Sequence, residues 1–484
     1  MTSIKDLQPQ GIWQSFYALT QVPRPSGHLA KVKKFLLDWA AERGIEAFED
    51  KGENIIMRKP ATPGYENRKT VTLQAHMDIV PQKAKDSDHN FETNPIRSRI
   101  DGEWVRTYGT TLGADDGLGV ATILALFEAT DIEHGPLEGF ITADEESTMG
   151  GVNNMEVGTL KGDILLNLDN ETEGEFIIGS AGGINLTATR SYEAVPAEGD
   201  ATLHISLHHL LGGHSGIQIN EGHANANKLM SRVLLDLFEN CGARLSSWQG
   251  GNMRNAIPAY ADAIVTLPSD KVAEAKEKVA HWFEIFKEEY RGVEEQFTLE
   301  TLEAERPATN LPVEVQDAVV AAIAACHNGV LRFIPTIPHI VETSSNLAIV
   351  EIGDGNIFVK DLIRSSQNSM RRYCEQVLTQ AFKLAGMEVV LDGAYIEWQP
   401  APKSEIVDLM KAKYQELFGK PASVTVIHAG LECSIIGASY PHMDIISFGP
   451  TVRCPHTPDE CCHIPSVAKY WELVVATLKD IPVK

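Results

Sequence analysis

Strand-like and helix-like segments alternate at the N-terminal end of the chain, and this alternation constrains the fold more than any other feature of the sequence. Joining successive strands through helices builds a mostly parallel sheet with helices on both faces. The pattern predicts an amphipathic helix, two strands, a helix that is apolar on most faces and two more buried strands, at Lys31–Arg43, Asn54–Arg58, Val71–Ala75, Val120–Ala129, Leu137–Ala143 and Asp163–Leu168.

The same alternation returns near the C-terminus. A helix is predicted over Glu405–Phe418, with Gly419 after its last turn, followed by strands at Ser423–Ile427 and Met443–Phe448. A closing helix is predicted over 467–479, with Ser466 as its N-cap because serine side chains accept hydrogen bonds from the first helical N–H groups. The two ends of the chain therefore have the pattern of one α/β domain.

The middle of the chain has a different rhythm, in which α+β segments follow one another in two successive halves. Chains longer than roughly 250–300 residues usually divide into domains, and this chain has 484 residues. We therefore predict a discontinuous α/β domain, residues 1–186 and 392–484, with an inserted α+β domain, residues 187–391. Duplication within the insert is a hypothesis, because the two halves share no evident sequence identity.

Composition excludes several functions. The 66 acidic residues outnumber the 42 basic ones, giving a formal charge of −24, whereas a nucleic-acid-binding protein needs a basic face. The first residues contain no apolar segment typical of a secretion signal. The sequence also contains no run of about 18 apolar residues, so we expect no membrane-spanning helix. The seven cysteines are odd in number and irregularly spaced, so we expect reduced thiols in a cytoplasmic protein.

Four segments with metal-binding residue types lie beside the predicted strands and the buried helix of the α/β domain. Ligands of open α/β sheets gather at the carboxyl ends of strands. Each acidic pair or isolated histidine is by itself more often a surface feature, but their regular position after buried strands favours a common site. The segments are His76-Met77-Asp78, Gly113-Ala114-Asp115-Asp116-Gly117, Asp144-Glu145-Glu146 and Asn167-Leu168-Asp169-Asn170-Glu171.

A fifth segment is the proline-rich stretch Pro455-His456-Thr457-Pro458-Asp459-Glu460 before the last predicted helix. Zinc accepts nitrogen and oxygen ligands, and two metal ions about 3.5–4 Å apart can share one bridging carboxylate. Two histidines and at least three carboxylates suit such a pair. Cys454 and Cys461-Cys462 are weaker ligand candidates because no CxxC pair is present.

The segments HMDIV, GADDG, DEE, NLD and CPHTPDE together resemble the M20 family of dinuclear zinc peptidases and deacylases. The resemblance covers nearly the whole chain. The segments QAHMDIVPQK, GTTLGADDG and GGHSG are most similar to a bacterial subgroup of dipeptidases that act on aminoacyl-histidine. The resemblance implies a zinc-peptidase-like α/β catalytic domain and an inserted α+β lid domain of two ferredoxin-like halves.

By this resemblance, the chain hydrolyses dipeptides with a free N-terminus, including carnosine-like Xaa-His dipeptides. It implies two Zn²⁺ per chain, with Co²⁺ or Mn²⁺ as substitutes, and a cis peptide bond between Asp115 and Asp116. It assigns Asp115 as the ligand that bridges the two ions. His76 and Asp169 would complete one zinc site, and Glu146 and His456 would complete the other. Glu145 would be the general base, and Asp78 would orient His76.

The resemblance also implies substrate contacts. His214 would polarise the scissile carbonyl group, and Arg364 would bind a carboxylate, for which a guanidinium is suited. The other candidates are Asn255, Gly430 and Glu432. The second half of the insert would stand in for a partner subunit, so that His214 acts in the active site of its own chain. Hinge motion near residues 186–200 and 390–400 would bring His214 into place. The resemblance leaves open whether the chain also forms a homodimer.

Three alternatives remain at this point. The chain could be an M20-type deacylase, a metal-binding scaffold without catalysis, or a mononuclear zinc aminopeptidase for longer peptides. Acceptance of a free α-amine would argue against the deacylase. Loss of activity in a Glu145→Gln variant would argue against the scaffold, and two zinc ions per chain would argue against the mononuclear aminopeptidase. His204, His208 and His209 lie on one predicted strand, but no carboxylate partner is evident, so we do not expect them to bind metal.

Overall fold

A computed structural model describes residues 3–335, 337 and 339–484 of the chain, and these form two compact units. The split unit consists of Met1–Gly179, Pro400–Val426 and Leu431–Lys484. The inserted unit consists of Ser180–Gln399 and Ile427–Gly430. Each unit has a separate cluster of buried apolar side chains, as expected when a chain is too long for one core.

The split unit is built on an eight-stranded sheet whose centre is parallel. The strands Leu137–Thr142, Val71–His76, Ile164–Asn167 and Asp444–Ser447 lie side by side and run in the same direction. Three pairings outside this centre are antiparallel, and they involve Glu46–Glu49, Ile55–Lys59 and Glu175–Ser180. The outermost strand, Ser423–Ile427, lies parallel to Glu175–Ser180, because the Ser423 N–H donates to the Gly174 carbonyl oxygen and the Ala181 N–H donates to the Ile427 carbonyl oxygen. The prediction of a mostly parallel sheet is therefore correct for the centre and this outermost pair, and wrong for the three antiparallel pairings.

Helices pack around this sheet, and the most buried of them is Ala114–Glu128. Its apolar residues are covered on most faces, as the sequence predicts, so this helix is part of the core. None of the helices in the described ranges is long and apolar enough to cross a membrane. The other helices of the unit are Gln10–Thr20, Ala30–Glu42, Glu145–Thr148, Gly150–Asn153, Glu405–Phe418, Glu432–Ser439 and Ile464–Lys479.

The last helix begins earlier than the sequence predicts. It starts at Ile464, and His463 rather than Ser466 is the N-cap residue. The Ser466 hydroxyl instead donates to the His463 carbonyl oxygen at 2.7 Å and accepts from the Thr451 N–H at 2.9 Å. Ser466 therefore fastens the first turn to the preceding small sheet, whose strands are Val452–Arg453, Cys461–His463, Trp104–Arg106 and Arg99–Asp101.

The inserted unit contains a nine-stranded sheet in which every described pairing is antiparallel. Its helices are Ala226–Cys241, Val272–Glu289, Val313–Ala325 and Asn368–Leu384. In sheet order the strands are Thr298–Leu302, Ala201–His208, Ala261–Leu267, Arg244–Gly250, Val341–Gly353, Asn356–Ser365, Gly182–Ser191 and Glu388–Tyr395, and Gly329–Phe333 pairs separately with Val341–Gly353.

The two halves of this sheet are nested in the chain, whereas the sequence rhythm suggested that they are successive. The strand Gly182–Ser191 lies between Asn356–Ser365 and Glu388–Tyr395, and so belongs to the second half of the sheet. Every element of the first half comes after it in the chain and before the helix Val313–Ala325. The first half is therefore an insertion within the second, which a linear pass along the sequence cannot reveal.

The strand Ala201–His208 shows clear two-residue alternation. Leu203, Ile205 and Leu207 are buried, while the side chains of His204 and His208 are partly exposed on the opposite face. Contrary to the sequence interpretation, these histidines do have a carboxylate partner. The partner is Asp262 on the adjacent strand. Its Oδ1 lies 2.7 Å from Nε2 of His204, and its Oδ2 lies 2.8 Å from Nε2 of His208.

Candidate metal centre

Three parallel strands bring candidate ligands together in the split unit. His76 is the last residue of Val71–His76, Glu145 and Glu146 follow Leu137–Thr142, and Asp169 follows Ile164–Asn167. Val71–His76 lies between the other two strands, and all three run in the same direction. Because their carboxyl ends lie at one edge of the sheet, these side chains converge there.

Asp115 lies at the centre of the cluster, between two histidines. Its Oδ1 is 3.0 Å from Nε2 of His76, and its Oδ2 is 3.1 Å from Nε2 of His456. Asp169 approaches His76 at 3.4 Å, and Glu146 approaches His456 at 2.9 Å. The family resemblance implied this set of five, and the structure brings all five together.

The cluster suits a metal cation. One ligand atom from each of His76, Asp115 and Glu146 lies within 4.8 Å of the others, and imidazole and carboxylate groups are typical zinc ligands. Three buried or half-buried carboxylates share the site, and within the described ranges neither lysine nor arginine forms an ion pair with them. Oε1 of Glu146 is buried without a hydrogen-bond partner among the described residues, so this oxygen is free to coordinate a cation.

The charges of the cluster shift the pKa values of its members. Hydrogen bonds to Asp115 and Glu146 raise the pKa of His456 to about 11. Burial raises the pKa of Asp169 to about 6, against the effect of His76. A metal ligand must lose its proton, so a cation held here would take the place of the proton on His456.

Asp78 links His76 to the turn that carries the two glutamates. Its side chain is fully buried, 3.5 Å from Nδ1 of His76, and accepts hydrogen bonds from the N–H groups of Glu145 at 3.0 Å and Glu146 at 3.2 Å. The Ser26 hydroxyl donates to it at 2.8 Å. Burial disfavours its charged form, but the nearby His76 ring and these other donors hold the pKa of Asp78 below its usual value.

Glu145 follows Asp144, whose φ of 55° turns the chain sharply at the end of the strand. Burial raises the pKa of Glu145 well above its usual value, and the neighbouring carboxylates of Asp169 and Glu432 act in the same direction, while His76 opposes them. Glu145 therefore holds a proton more readily than an ordinary glutamate. This property suits a group that exchanges protons during a reaction.

The peptide bond between Asp115 and Asp116 is cis, as the family resemblance implied. The side chain of Asp116 is buried and does not join the ligand cluster. It accepts hydrogen bonds from the N–H groups of His76 at 3.2 Å and Gly119 at 3.0 Å. Asp116 therefore ties the ligand-bearing strand to the buried helix.

Glu432, a predicted substrate contact, lies beneath the carboxyl ends of the central strands. Its side chain is 1% exposed. Oε2 accepts from Nε2 of Gln74 at 2.6 Å and from Oγ1 of Thr142 at 2.7 Å, while Oε1 has no hydrogen-bond partner among the described residues. Burial raises the pKa of Glu432 to about 8.

The other predicted substrate contacts lie in the inserted unit. His214 and Asn255 are neighbours, because His214 bridges to Ala256 and the Ser215 N–H donates to the Asn255 carbonyl oxygen at 2.8 Å. Nδ1 of His214 accepts from the N–H groups of residues 216 and 217 at 3.2 Å each. This places the ring proton on Nε2, and burial together with the charge of Arg364 lowers the pKa of His214 to about 4.

Arg364 is 6% exposed, and its Nη1 donates to the Tyr395 hydroxyl at 2.5 Å. Gly430 closes the short segment Ile427–Gly430 of the same unit. In that segment, Nε2 of His428 lies 2.7 Å from the Ser344 hydroxyl, and burial with the charge of Arg364 lowers the pKa of His428 to about 3. Sequence reasoning missed His428, although it lies in the stretch HAGLE from which Gly430 and Glu432 were selected.

Sequence reasoning also missed two buried charged residues of the split unit, Arg24 and Glu460. Glu460 lies in the segment PHTPDE, which had been singled out for His456, but neither residue was given a role. Their contacts are to backbone groups around Asp115. Only the folded chain reveals them, because side chain-to-backbone contacts leave no complementary residue in the sequence.

Comparison with known proteins identifies the family of the chain. The model of peptidase family M20/M25/M40 matches residues 72–480. The chain is 42% identical to the cytosol non-specific dipeptidase of Escherichia coli over 486 aligned residues, covering 100% of both proteins. The chain therefore belongs to peptidase family M20/M25/M40, and it is a hydrolase of peptide bonds.

Solved structures support the same conclusion. The aminoacylhistidine dipeptidase of Vibrio alginolyticus is 41% identical, with a TM-score of 0.90, and the alignment covers 100% of this chain and 99% of that one. The aminopeptidase PepT of Bacillus cereus is 16% identical with a TM-score of 0.55, over 98% and 99% of the two chains. This second likeness concerns the mixed α/β fold alone.

Proposed function

We propose that this chain is a metal-dependent dipeptidase that cleaves dipeptides with a free N-terminus, including Xaa-His dipeptides. The observation that carries the proposal is the Asp115 carboxylate between His76 and His456, with one oxygen 3.0–3.1 Å from each imidazole. Full-length identity of 42% to a dipeptidase supports the substrate class. The cytosolic location in that relative's name supports a cytoplasmic site of action.

The proposed metal content is two Zn²⁺ per chain. Asp115 would be the shared ligand, with His76 and Asp169 on one side and Glu146 and His456 on the other. Bound zinc would supply an acidified water and a polarised carbonyl group. The free Oε1 of Glu146 and the absence of lysine and arginine partners within the described ranges support this assignment, and Co²⁺ or Mn²⁺ remain substitutes with compatible ligand preferences.

Glu145 would be the general base. It would take a proton from the attacking water and deliver it to the amine nitrogen of the departing amino acid as the C–N bond breaks. The raised pKa of its carboxyl group supports the first step, because a more basic carboxylate takes up a proton more readily than an ordinary glutamate does. Asp78 would orient His76 through the contact between Asp78 Oδ1 and His76 Nδ1, which measures 3.5 Å.

In the inserted unit, His214 would donate a hydrogen bond from Nε2 to the carbonyl oxygen of the scissile bond. Acceptance of two backbone N–H groups at Nδ1 supports this role, since it fixes the ring tautomer. Arg364 would bind the C-terminal carboxylate of the peptide, and Asn255, Gly430 and Glu432 would contact its remaining polar groups. Residues 1–186 and 392–484 would then be the catalytic domain and residues 187–391 a lid, with homodimer formation left open.

The first experiment compares an unblocked Xaa-His dipeptide with its N-acetylated twin. Chelator-stripped protein is assayed on both with and without added zinc, and bound metal is counted per chain. We expect zinc to restore cleavage of the unblocked dipeptide alone, with two ions bound. Cleavage of the acetylated peptide would instead identify a deacylase, and metal uptake without cleavage of either peptide would contradict the proposed function.

A further inference from the structure

The segment that carries His456 also carries a buried carboxylate four residues later. It connects the strands Val452–Arg453 and Cys461–His463, which pair in antiparallel register. The Glu460 N–H donates to the Thr457 carbonyl oxygen at 3.1 Å, closing a turn within the segment. The side chain of Glu460 is 2% exposed, so it points into the split unit.

Four consecutive backbone N–H groups converge on the Glu460 carboxylate. Oε2 accepts from Leu112 at 2.7 Å and from Gly113 at 2.9 Å, while Oε1 accepts from Ala114 at 2.7 Å and from Asp115 at 3.3 Å. A carboxylate has about four acceptor positions. The four N–H groups fill these positions, so this side chain fixes the turn firmly.

Arg24 holds the same turn from its carbonyl side. Nη2 donates to the Gly113 carbonyl oxygen at 2.6 Å, and Nη1 donates to the carbonyl oxygens of Met77 at 2.9 Å and Asp78 at 3.2 Å. The turn that leads to Asp115 is therefore tied to the residues that follow His76. Gly113 permits this arrangement, because its φ is +69° and an added Cβ would lie 2.8 Å from Nη2 of Arg24.

We propose that Glu460 is a positioning residue for the metal centre, a role that rests on the proposed function. Its carboxylate would fix the backbone from which the Asp115 side chain leaves, and so hold each Asp115 oxygen at its histidine. The fourth N–H in the set belongs to Asp115 itself. One segment thus supplies a ligand, His456, and aligns the carboxylate that this ligand faces.

Glu138 offers a matched control. It is also a 2% exposed glutamate of the split unit, and it accepts from the Thr72 hydroxyl at 3.0 Å, the Lys161 N–H at 2.7 Å and Nε of Arg58 at 3.4 Å. None of these donors belongs to a candidate ligand. A Glu138→Gln variant removes comparable buried contacts without disturbing the Asp115 turn.

The test measures zinc affinity of the chelator-stripped full chain by calorimetry, the visible spectrum of the Co²⁺-loaded protein, and kcat and KM for an unblocked Xaa-His dipeptide. In Glu460→Gln, an amide NH₂ would face backbone donors. Because supporting residues of metal ligands typically contribute 10–100-fold, we expect zinc affinity and kcat to fall by roughly that factor, with KM unchanged and an altered Co²⁺ spectrum. Glu138→Gln should match wild type in all three.

Glu460→Asp keeps the charge but withdraws it by one methylene group, so we expect zinc affinity between those of wild type and Glu460→Gln. This variant also tests the proposal if the glutamine variant does not fold. Wild-type zinc affinity and Co²⁺ spectrum in both Glu460 variants, or an equal loss in Glu138→Gln, would overturn the positioning role alone. Failure of the wild-type chain to bind zinc would overturn the proposed function and this role together.

Discussion

Each unit contains an aspartate that lies between two histidines, and the two trios differ in their surroundings. Asp115 of the split unit faces His76 and His456 at 3.0 and 3.1 Å. Asp262 of the inserted unit faces His204 and His208 at 2.7 and 2.8 Å. Judged by these distances alone, the second trio is the tighter one.

The first difference is the origin of the histidines in the chain. His204 and His208 are four residues apart on one strand, and Asp262 pairs opposite Ser206 between them. Successive residues of a strand are about 3.3 Å apart, so the two imidazoles must lean toward Asp262 from both sides. His76 and His456 come from distant segments that the fold itself brings to Asp115.

The second difference is burial and the number of carboxylates. The Asp115 side chain is 9% exposed and shares its histidines with Asp169 and Glu146, whereas the Asp262 side chain is 29% exposed. A cation is needed where several carboxylates are buried together, because burial of unpaired charge is costly. A hydrogen-bonded trio at a half-exposed sheet surface satisfies its own charges.

The largest expected effect comes from replacing the two aspartates in parallel. Asp115→Asn should abolish stable zinc binding and lower kcat/KM on an Xaa-His dipeptide by about 10³-fold or more, because metal assistance contributes several kcal/mol to catalysis. Asp262→Asn should leave both quantities at the wild-type level. Zinc stoichiometry and steady-state kinetics of the two variants test this prediction. A loss of zinc in Asp262→Asn would show that the two trios do not differ in metal binding.

Among the described residues, no second carboxylate pairs with His204 or His208, whereas Glu145 lies near the Asp115 trio and can separate catalysis from metal binding there. Glu145→Gln should lower kcat by roughly 10²–10⁴-fold, the usual contribution of a general base, while zinc stoichiometry remains at the wild-type value. Glu138→Gln is the control for loss of a buried glutamate in the same unit. Retained activity in Glu145→Gln would show that another group takes the proton.

The positions of the ligands in the split unit could be predicted because they follow a general rule of α/β sheets. Each of His76, Glu145, Glu146 and Asp169 ends or follows a central strand, and the predicted ends of these three strands lie one residue from the observed ends. Parallel pairing then fixes their convergence. His456 was less constrained by the rule and depended on the family resemblance.

The remaining features depend on contacts that sequence periodicity does not encode. Asp262 lies 54 residues after His208, and only the antiparallel register of the two strands makes it their partner. Glu460 acts on backbone N–H groups rather than on side chains, and any four residues could supply those groups. The nested order of the inserted unit was missed because Gly182–Ser191 pairs with strands that come more than 160 residues later.

A third carboxylate, Asp361 of the inserted unit, isolates the effect of burial. Its side chain is fully buried, and neither oxygen has a hydrogen-bond partner among the described residues. Burial raises the pKa of Asp361 to about 7. The folded chain thus binds a proton more tightly than the unfolded chain, so the stability contributed by the protonated carboxyl is present below the unfolded pKa of about 3.9 and is lost as pH rises through about 7.

This predicts that Asp361→Asn becomes more favourable as pH rises. Relative to wild type, its free energy of unfolding should improve by about 3 kcal/mol between pH 5 and pH 8, because each unit of pKa shift corresponds to roughly 1.4 kcal/mol. Urea unfolding of both proteins at the two pH values measures the difference. An equal response of the two proteins to pH would mean that Asp361 is not the group that titrates.

The smallest expected effect is on the stability conferred by the second trio. Asp262→Asn leaves one oxygen acceptor for two imidazoles, so one of the hydrogen bonds at 2.7 and 2.8 Å is lost. Since a typical net hydrogen bond contributes about 0.5–1.5 kcal/mol and the group is partly exposed, the free energy of unfolding at pH 7 should fall by about 1 kcal/mol. Urea unfolding measures this change. A decrease of several kcal/mol in the free energy of unfolding would instead indicate that the Asp262 trio contributes as much as a deeply buried ion pair. Partial exposure would then not explain why this trio differs from the one around Asp115.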